Sequence, residues 1–159
     1  VNYFIINKNK NLKMEDFMLG FILAMISGAL MSIQGVFNTN LTKHTSIWVS
    51  TGWVHFSALG VCILAWLFYG RDSVSALWHV ENKYTLLGGI LGVFITVTVV
   101  KSIGSLGPAK ATLLIVIVQI LVSYIIELLG IWGVEKSEFV WRKLWGILIA
   151  VVGVILFQW

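Results

Sequence analysis

Pro108-Ala109-Lys110-Ala111-Thr112-Leu113-Leu114-Ile115-Val116-Ile117-Val118-Gln119-Ile120-Leu121-Val122-Ser123-Tyr124-Ile125-Ile126-Glu127-Leu128-Leu129-Gly130 carries no charge between Lys110 and Glu127. Its apolar residues run on without the alternation of a barrel strand. In lipid, a helix satisfies its own backbone groups without partners. About 20 residues cross a hydrocarbon layer of about 30 Å, so this stretch is long enough. Pro108 suits a first helical turn, where its missing N–H costs nothing. Gly107-Pro108 therefore reads as a tight turn before the helix, and Gly130 lies at its end.

The rest of the chain has the same character. It has 159 residues, of which 58% are hydrophobic and 11% charged, with mean hydropathy +0.93. Soluble domains are about 25% charged. That composition argues against a soluble globular domain and excludes disorder. Four further apolar runs occupy residues 17–37, 47–69, 84–103 and 144–159. With 108–130 they predict an all-α integral membrane bundle of five transmembrane helices. Residues 1–16 read as a polar N-terminal tail ahead of one domain at 17–159, with Met14 as an alternative start. The run from Phe17 exceeds a signal-peptide core and lacks a small-residue exit, so it reads as a retained span.

Gly20, Ala24, Gly28 and Ser32 form a small-residue stripe on the first span, and Gly88, Gly92 and Thr96 form another on the third. Such stripes let helix backbones approach closely, so both are expected to pack. Trp48, Trp78, Trp132, Trp141, Trp145 and Trp159 lie near span ends, as in an interfacial belt. Trp53 and Trp66 lie deeper and read as packing residues. The lone cysteine, Cys62, reads as a buried, inert thiol.

Charge sets the expected topology. Eight basic residues, Lys8, Lys10, Lys13, Arg71, Lys83, Lys136, Arg142 and Lys143, fall on one side, and Lys43, Lys101 and Lys110 fall on the other. The amino terminus is thus expected in the cytoplasm and the carboxyl terminus outside. A start at Met14 would leave five against three, a weak bias that permits insertion both ways. The net charge of +4 includes no basic run or face, so nucleic acid is not an expected partner. Anionic lipid at the bilayer surface accounts for the loop lysines.

Ionisable residues within spans are functional candidates. Six of the seven acids lie in tails or loops, and only Glu127 lies inside a span. Gln119 and Ser123 precede it by eight and four residues, which puts all three on one helix face. A carboxylate there can bind a proton or a cation; an interfacial glutamate near a helix end is the plainer alternative. Gln34 and Asn38 form a similar pair on the first span, with Ser27 about two turns earlier. They could bind a solute or another helix. His55 is a titratable candidate in span two, although a packing histidine is the commoner case. Thr96 and Thr98 are expected to bond their own backbone. Lys101 should snorkel to the interface or pair with a carboxylate. The chain has no Walker loop, Rossmann fingerprint, Gly-x-Ser-x-Gly or His-Glu-x-x-His motif. No enzyme activity, cofactor or metal site is expected.

Several segments resemble a known family when taken in order. They are Gly28-Ala29-Leu30-Met31-Ser32-Ile33-Gln34-Gly35-Val36-Phe37-Asn38, Gly88-Gly89-Ile90-Leu91-Gly92-Val93-Phe94, Leu106-Gly107-Pro108-Ala109, and Gln119 to Gly130 with Gly133 after. Together they are similar to the YdcZ-like family, a five-span branch of the drug/metabolite transporter superfamily. In that family the acid is usually Asp, often followed by His, where this chain has Glu127-Leu128. A glycine commonly precedes the glutamine, where this chain has Val118. The resemblance implies a bacterial inner-membrane protein. Larger relatives have ten spans built as two inverted halves. An odd span number fits this independently, because a second five-helix copy in tandem would be inverted. The expected function is therefore that of a secondary-transporter subunit moving a small solute across the cytoplasmic membrane. It would be proton-coupled through Glu127 and completed as a homodimer or by a five-span paralogue. Gln119, Ser123, Gln34 and Asn38 would line the site. The rival expectation is a non-transporting accessory protein whose polar stripes only hold helices together.

Overall fold

Hydropathy marks where lipid can be; glycine, proline and capping side chains mark where helices stop. A computed structural model describes the backbone from Asn2 to Gln158 and the side chains from Met14 to Phe157. It contains α1 (Asn2–His44), α2 (Ile47–Tyr69), α3 (Gly88–Leu106), α4 (Pro108–Leu129) and α5 (Trp141–Gln158), with no strand among the described residues. Among the described residues, four segments are long and apolar enough to cross a membrane: Met14–His44, Ile47–Tyr69, Lys83–Leu106 and Pro108–Leu129. The fifth expected span coincides with α5, the shortest of the five helices, whose first turn carries Arg142 and Lys143.

The boundaries follow local chemistry. Ser46 ends the α1–α2 turn by accepting the Val49 N–H on its side chain, an N-cap. Gly107 (φ 80°, ψ 160°) lies in a region that only glycine enters freely, and it lets α4 start immediately after α3. Gly130 (φ 63°, ψ 38°) closes α4 in the left-handed conformation. A substituent on Gly130 would fall 2.8 Å from Lys136 Cβ, because residues 131–140 fold back over the end of α4. Three helices overrun their expected spans. α1 runs from Asn2 to His44 rather than from Phe17 to Phe37, α3 continues past Ile103 to Leu106, and α5 begins at Trp141 rather than Leu144. Polar residues at a span end stop the hydropathy signal but not the helix.

α1 packs on α2 and α3, α3 on α4, and α4 on α5. The close approach of α1 to α3 is at Gly35, where an added Cβ would lie 2.7 Å from Ile103 Cδ1. Thr39, Val100, Ile103 and Ala111 are buried, and Ser50 on α2 donates to the Asn38 carbonyl at 3.2 Å. Tyr124, Ile147 and Val154 are buried where α4 meets α5.

Several packing expectations need correction. A Cβ added at Gly20 or Gly28 would have nothing within 4 Å, so neither glycine marks a close helix approach within this chain. Of the third-span stripe, Gly92 meets a neighbour, with His55 Cε1 at 3.1 Å, whereas Gly88 faces open space. Trp53 is 59% exposed, and Trp66 spends its indole N–H on the Asp72 carbonyl at 2.9 Å. Cys62 is exposed rather than buried. The cause is shared: in a membrane helix an apolar side chain faces lipid at no cost, so an apolar setting does not imply a protein neighbour. Thr96 and Thr98 bond the Gly92 and Phe94 carbonyls at 3.0 and 2.8 Å, as expected.

Candidate functional site

The four-residue spacing of Gln119, Ser123 and Glu127 places them on one stripe of α4. In the folded chain, all three line a groove of about 490 Å³ between α4 and α5. Val116, Ile120, Ile147 and Ala150 make its apolar walls. Glu127 stands at one mouth of the groove, in the last turn of α4.

Glu127 is not alone there. Lys143 Nζ donates to Glu127 Oε2 at 2.7 Å, with the lysine side chain 46% and the glutamate side chain 42% exposed. The same ammonium lies 5.1 Å from the centroid of the Tyr124 ring, a cation–π distance. Helix dipoles explain the pairing. A carboxylate in the last turn of α4 and an ammonium in the first turn of α5 each oppose their own helix. Across the groove, each meets the favourable pole of its neighbour.

The 131–140 segment holds this corner in place. Ser137 N–H donates to the Glu127 carbonyl at 2.8 Å, and Val140 N–H donates to the Tyr124 hydroxyl at 3.0 Å. Phe139 lies against Tyr124 and meets Trp141 edge-on at 5.2 Å between centroids. Tyr124 therefore presents a ring whose far end is tied down by its own O–H group.

The other candidates lie elsewhere. Gln34 and Asn38 line a cleft of about 820 Å³ between α1 and α2, together with Ser27, Trp53 and Ser57. A third cleft of about 350 Å³ among α1, α3 and α4 includes both Ser27 and Gln119. Ser27 thus borders the first cleft and the third, and Gln119 borders the third and the α4–α5 groove. Gln34 and Asn38 do not line the groove that holds Glu127; the mostly apolar third cleft lies between the two. His55 borders none of these openings. It packs on Gly92, and its buried Nε2 has no hydrogen-bond partner. Lys101 is exposed.

Sequence reasoning missed Lys143 and Tyr124 as members of the corner. Lys143 counted only as a loop lysine, because the hydropathy of the fifth span begins at Leu144. The usable signal was the short stretch between the last turn of span four and the start of span five, which brings neighbouring antiparallel ends level.

A family described as "Putative inner membrane exporter, YdcZ" matches residues 19–156. No curated protein and no solved structure matches the chain. The match covers all five α-helices in whole or large part and the whole groove. That description is of an inner-membrane exporter family, and with the long apolar helices it makes the chain a multi-pass protein of the inner membrane. The order of its helices and the residues matched agree that the chain belongs to the YdcZ family of inner-membrane proteins.

Proposed function

We propose that the chain is a five-span secondary-transporter subunit that carries a small solute through the α4–α5 groove, with Glu127 binding a proton or the cation. The observation that carries this reading is the clustering of Gln119, Ser123 and Glu127 in one groove of about 490 Å³. An intramembrane carboxylate beside hydrogen-bonding side chains is a means of binding and releasing charge during transport. A five-helix unit is half of an inverted-repeat pathway, so a second copy or a five-span paralogue would complete it. The two clefts that share Ser27, one of them lined by Gln34 and Asn38, would then continue the path towards the other side of the membrane. The loop charges support an amino terminus in the cytoplasm and a carboxyl terminus outside.

Purified protein in liposomes, tested for flux against a solute panel with and without a pH gradient, tests the reading. Glu127→Gln should abolish gradient-driven flux while leaving expression and helix content intact. Undiminished coupled flux in that variant would overturn the role of Glu127.

The second reading is a non-transporting accessory protein. The Glu127–Lys143 ion pair favours it, since it joins α4 to α5 as a structural contact would. On that reading, wild type moves no solute in the panel, and Glu127→Gln changes only stability.

A further inference from the structure

We infer that Glu127 and Tyr124 form an ammonium site that Lys143 occupies as a tethered internal ligand, and that a solute bearing an ammonium group enters by displacing it. This rests on the transport reading of the groove and names the solute class. The geometry is that of a bound amine. The Lys143 ammonium touches one carboxylate oxygen at 2.7 Å and lies 5.1 Å from an aromatic centroid. Those are the two groups by which proteins hold alkylammonium ions: a counter-charge and a negative ring face.

The groove then fixes what else the solute carries. Its walls beyond the charge are Val116, Ile120, Ile147 and Ala150, so the body attached to the ammonium is apolar. Gln119 and Ser123 offer hydrogen bonds further along. A hard divalent cation fits poorly. It needs six or more oxygens, and among the described residues no group of three or more Asp, Glu, His or Cys side chains gathers.

Lys143 can leave without unfolding the corner. It is almost half exposed, and Tyr124 is held by Val140 rather than by the lysine. When the ammonium swings out, Glu127 is left with a vacant counter-ion position facing the groove. The lysine thus sets a threshold: the solute must outcompete a cation already present at high local concentration.

The test uses the full chain in lipid nanodiscs, with benzylammonium as the probe and benzyl alcohol as its neutral analogue. Calorimetric titration should show Lys143→Met binding benzylammonium roughly two- to fivefold more tightly than wild type, the gain expected from removing one half-exposed competing pair. Benzyl alcohol should bind equally to both. Glu127→Gln should lose benzylammonium binding, and adding Lys143→Met to it should restore none. Tyr124→Phe should keep the Lys143→Met gain, whereas Tyr124→Leu should weaken binding in either background. Lysine-methyl NMR on otherwise wild-type protein provides a second readout. The Lys143 resonance, assigned by its loss in Lys143→Arg, should move to the position of free lysine as benzylammonium, but not benzyl alcohol, is added. Equal benzylammonium affinity in wild type and Lys143→Met, or a Lys143 resonance that ignores the probe, overturns the inference. If flux still fails in Glu127→Gln while Lys143 ignores the probe, transport stands and the tethered ligand falls. If Lys143 is displaced but Glu127→Gln transports normally, the transport role of Glu127 falls and the site stands.

Discussion

Lys143, in the first turn of α5, reaches back across the groove to Glu127, in the last turn of α4, and closes a 2.7 Å ion pair beneath the Tyr124 ring. Each side chain is nearly half exposed, so the pair is a modest structural contact and a displaceable one. Removing either charge should lower stability by about 0.3–1 kcal/mol. Thermal unfolding in detergent should place Glu127→Gln, Lys143→Met and the double variant within a few degrees of wild type. Exchanging the charges (Glu127→Lys with Lys143→Glu) should recover little, because each charge then sits on the favourable end of its own helix but faces the unfavourable end of its neighbour.

The α1–α3 crossing is tight at Gly35. An added Cβ would lie 2.7 Å from Ile103 Cδ1, the far end of a flexible side chain. Gly35→Ala should therefore be mild, since Ile103 can rotate aside and a helical alanine is intrinsically better than glycine. Gly35→Val should cost about 1–3 kcal/mol by overpacking. Ile103→Ala should cost stability alone but recover part of the Gly35→Val loss, a coupling readable in a double-mutant cycle of unfolding free energies.

Gly130 offers no such escape. Its φ of 63° is left-handed, and a Cβ would meet Lys136 Cβ at 2.8 Å and Lys136 Cα at 3.2 Å. Gly130→Ala should cost about 1–3 kcal/mol and loosen the 131–140 segment. Faster amide exchange at Ser137 and Val140, whose N–H groups bond Glu127 and Tyr124, would report it.

His55 packs on Gly92 with a buried Nε2 that has no hydrogen-bond partner. A buried polar atom in that state costs about 1–3 kcal/mol, so His55→Leu should hold or raise the unfolding temperature. Flux equal to wild type in the same variant would assign His55 to packing. Loss of flux with retained stability would return it to the transport path.

The chain's own order of residues determined most of the helices. Uninterrupted apolar runs place them, and Gly107-Pro108 and Gly130 set two of their limits, because backbone satisfaction in lipid and glycine's freedom are local physics. The four-residue spacing likewise put Gln119, Ser123 and Glu127 on one face before any fold was known. Only the tertiary structure decided that Lys143, rather than Lys101, answers Glu127, and that Gly35 and Gly92 are close-packed while Gly20 and Gly28 are open. It alone separated Gln34 and Asn38 from the α4–α5 groove and left His55 outside it. A single helix fixes which residues share its face but not which neighbour that face meets. In a membrane that ambiguity is complete, since lipid and an apolar protein surface satisfy the same side chains equally well.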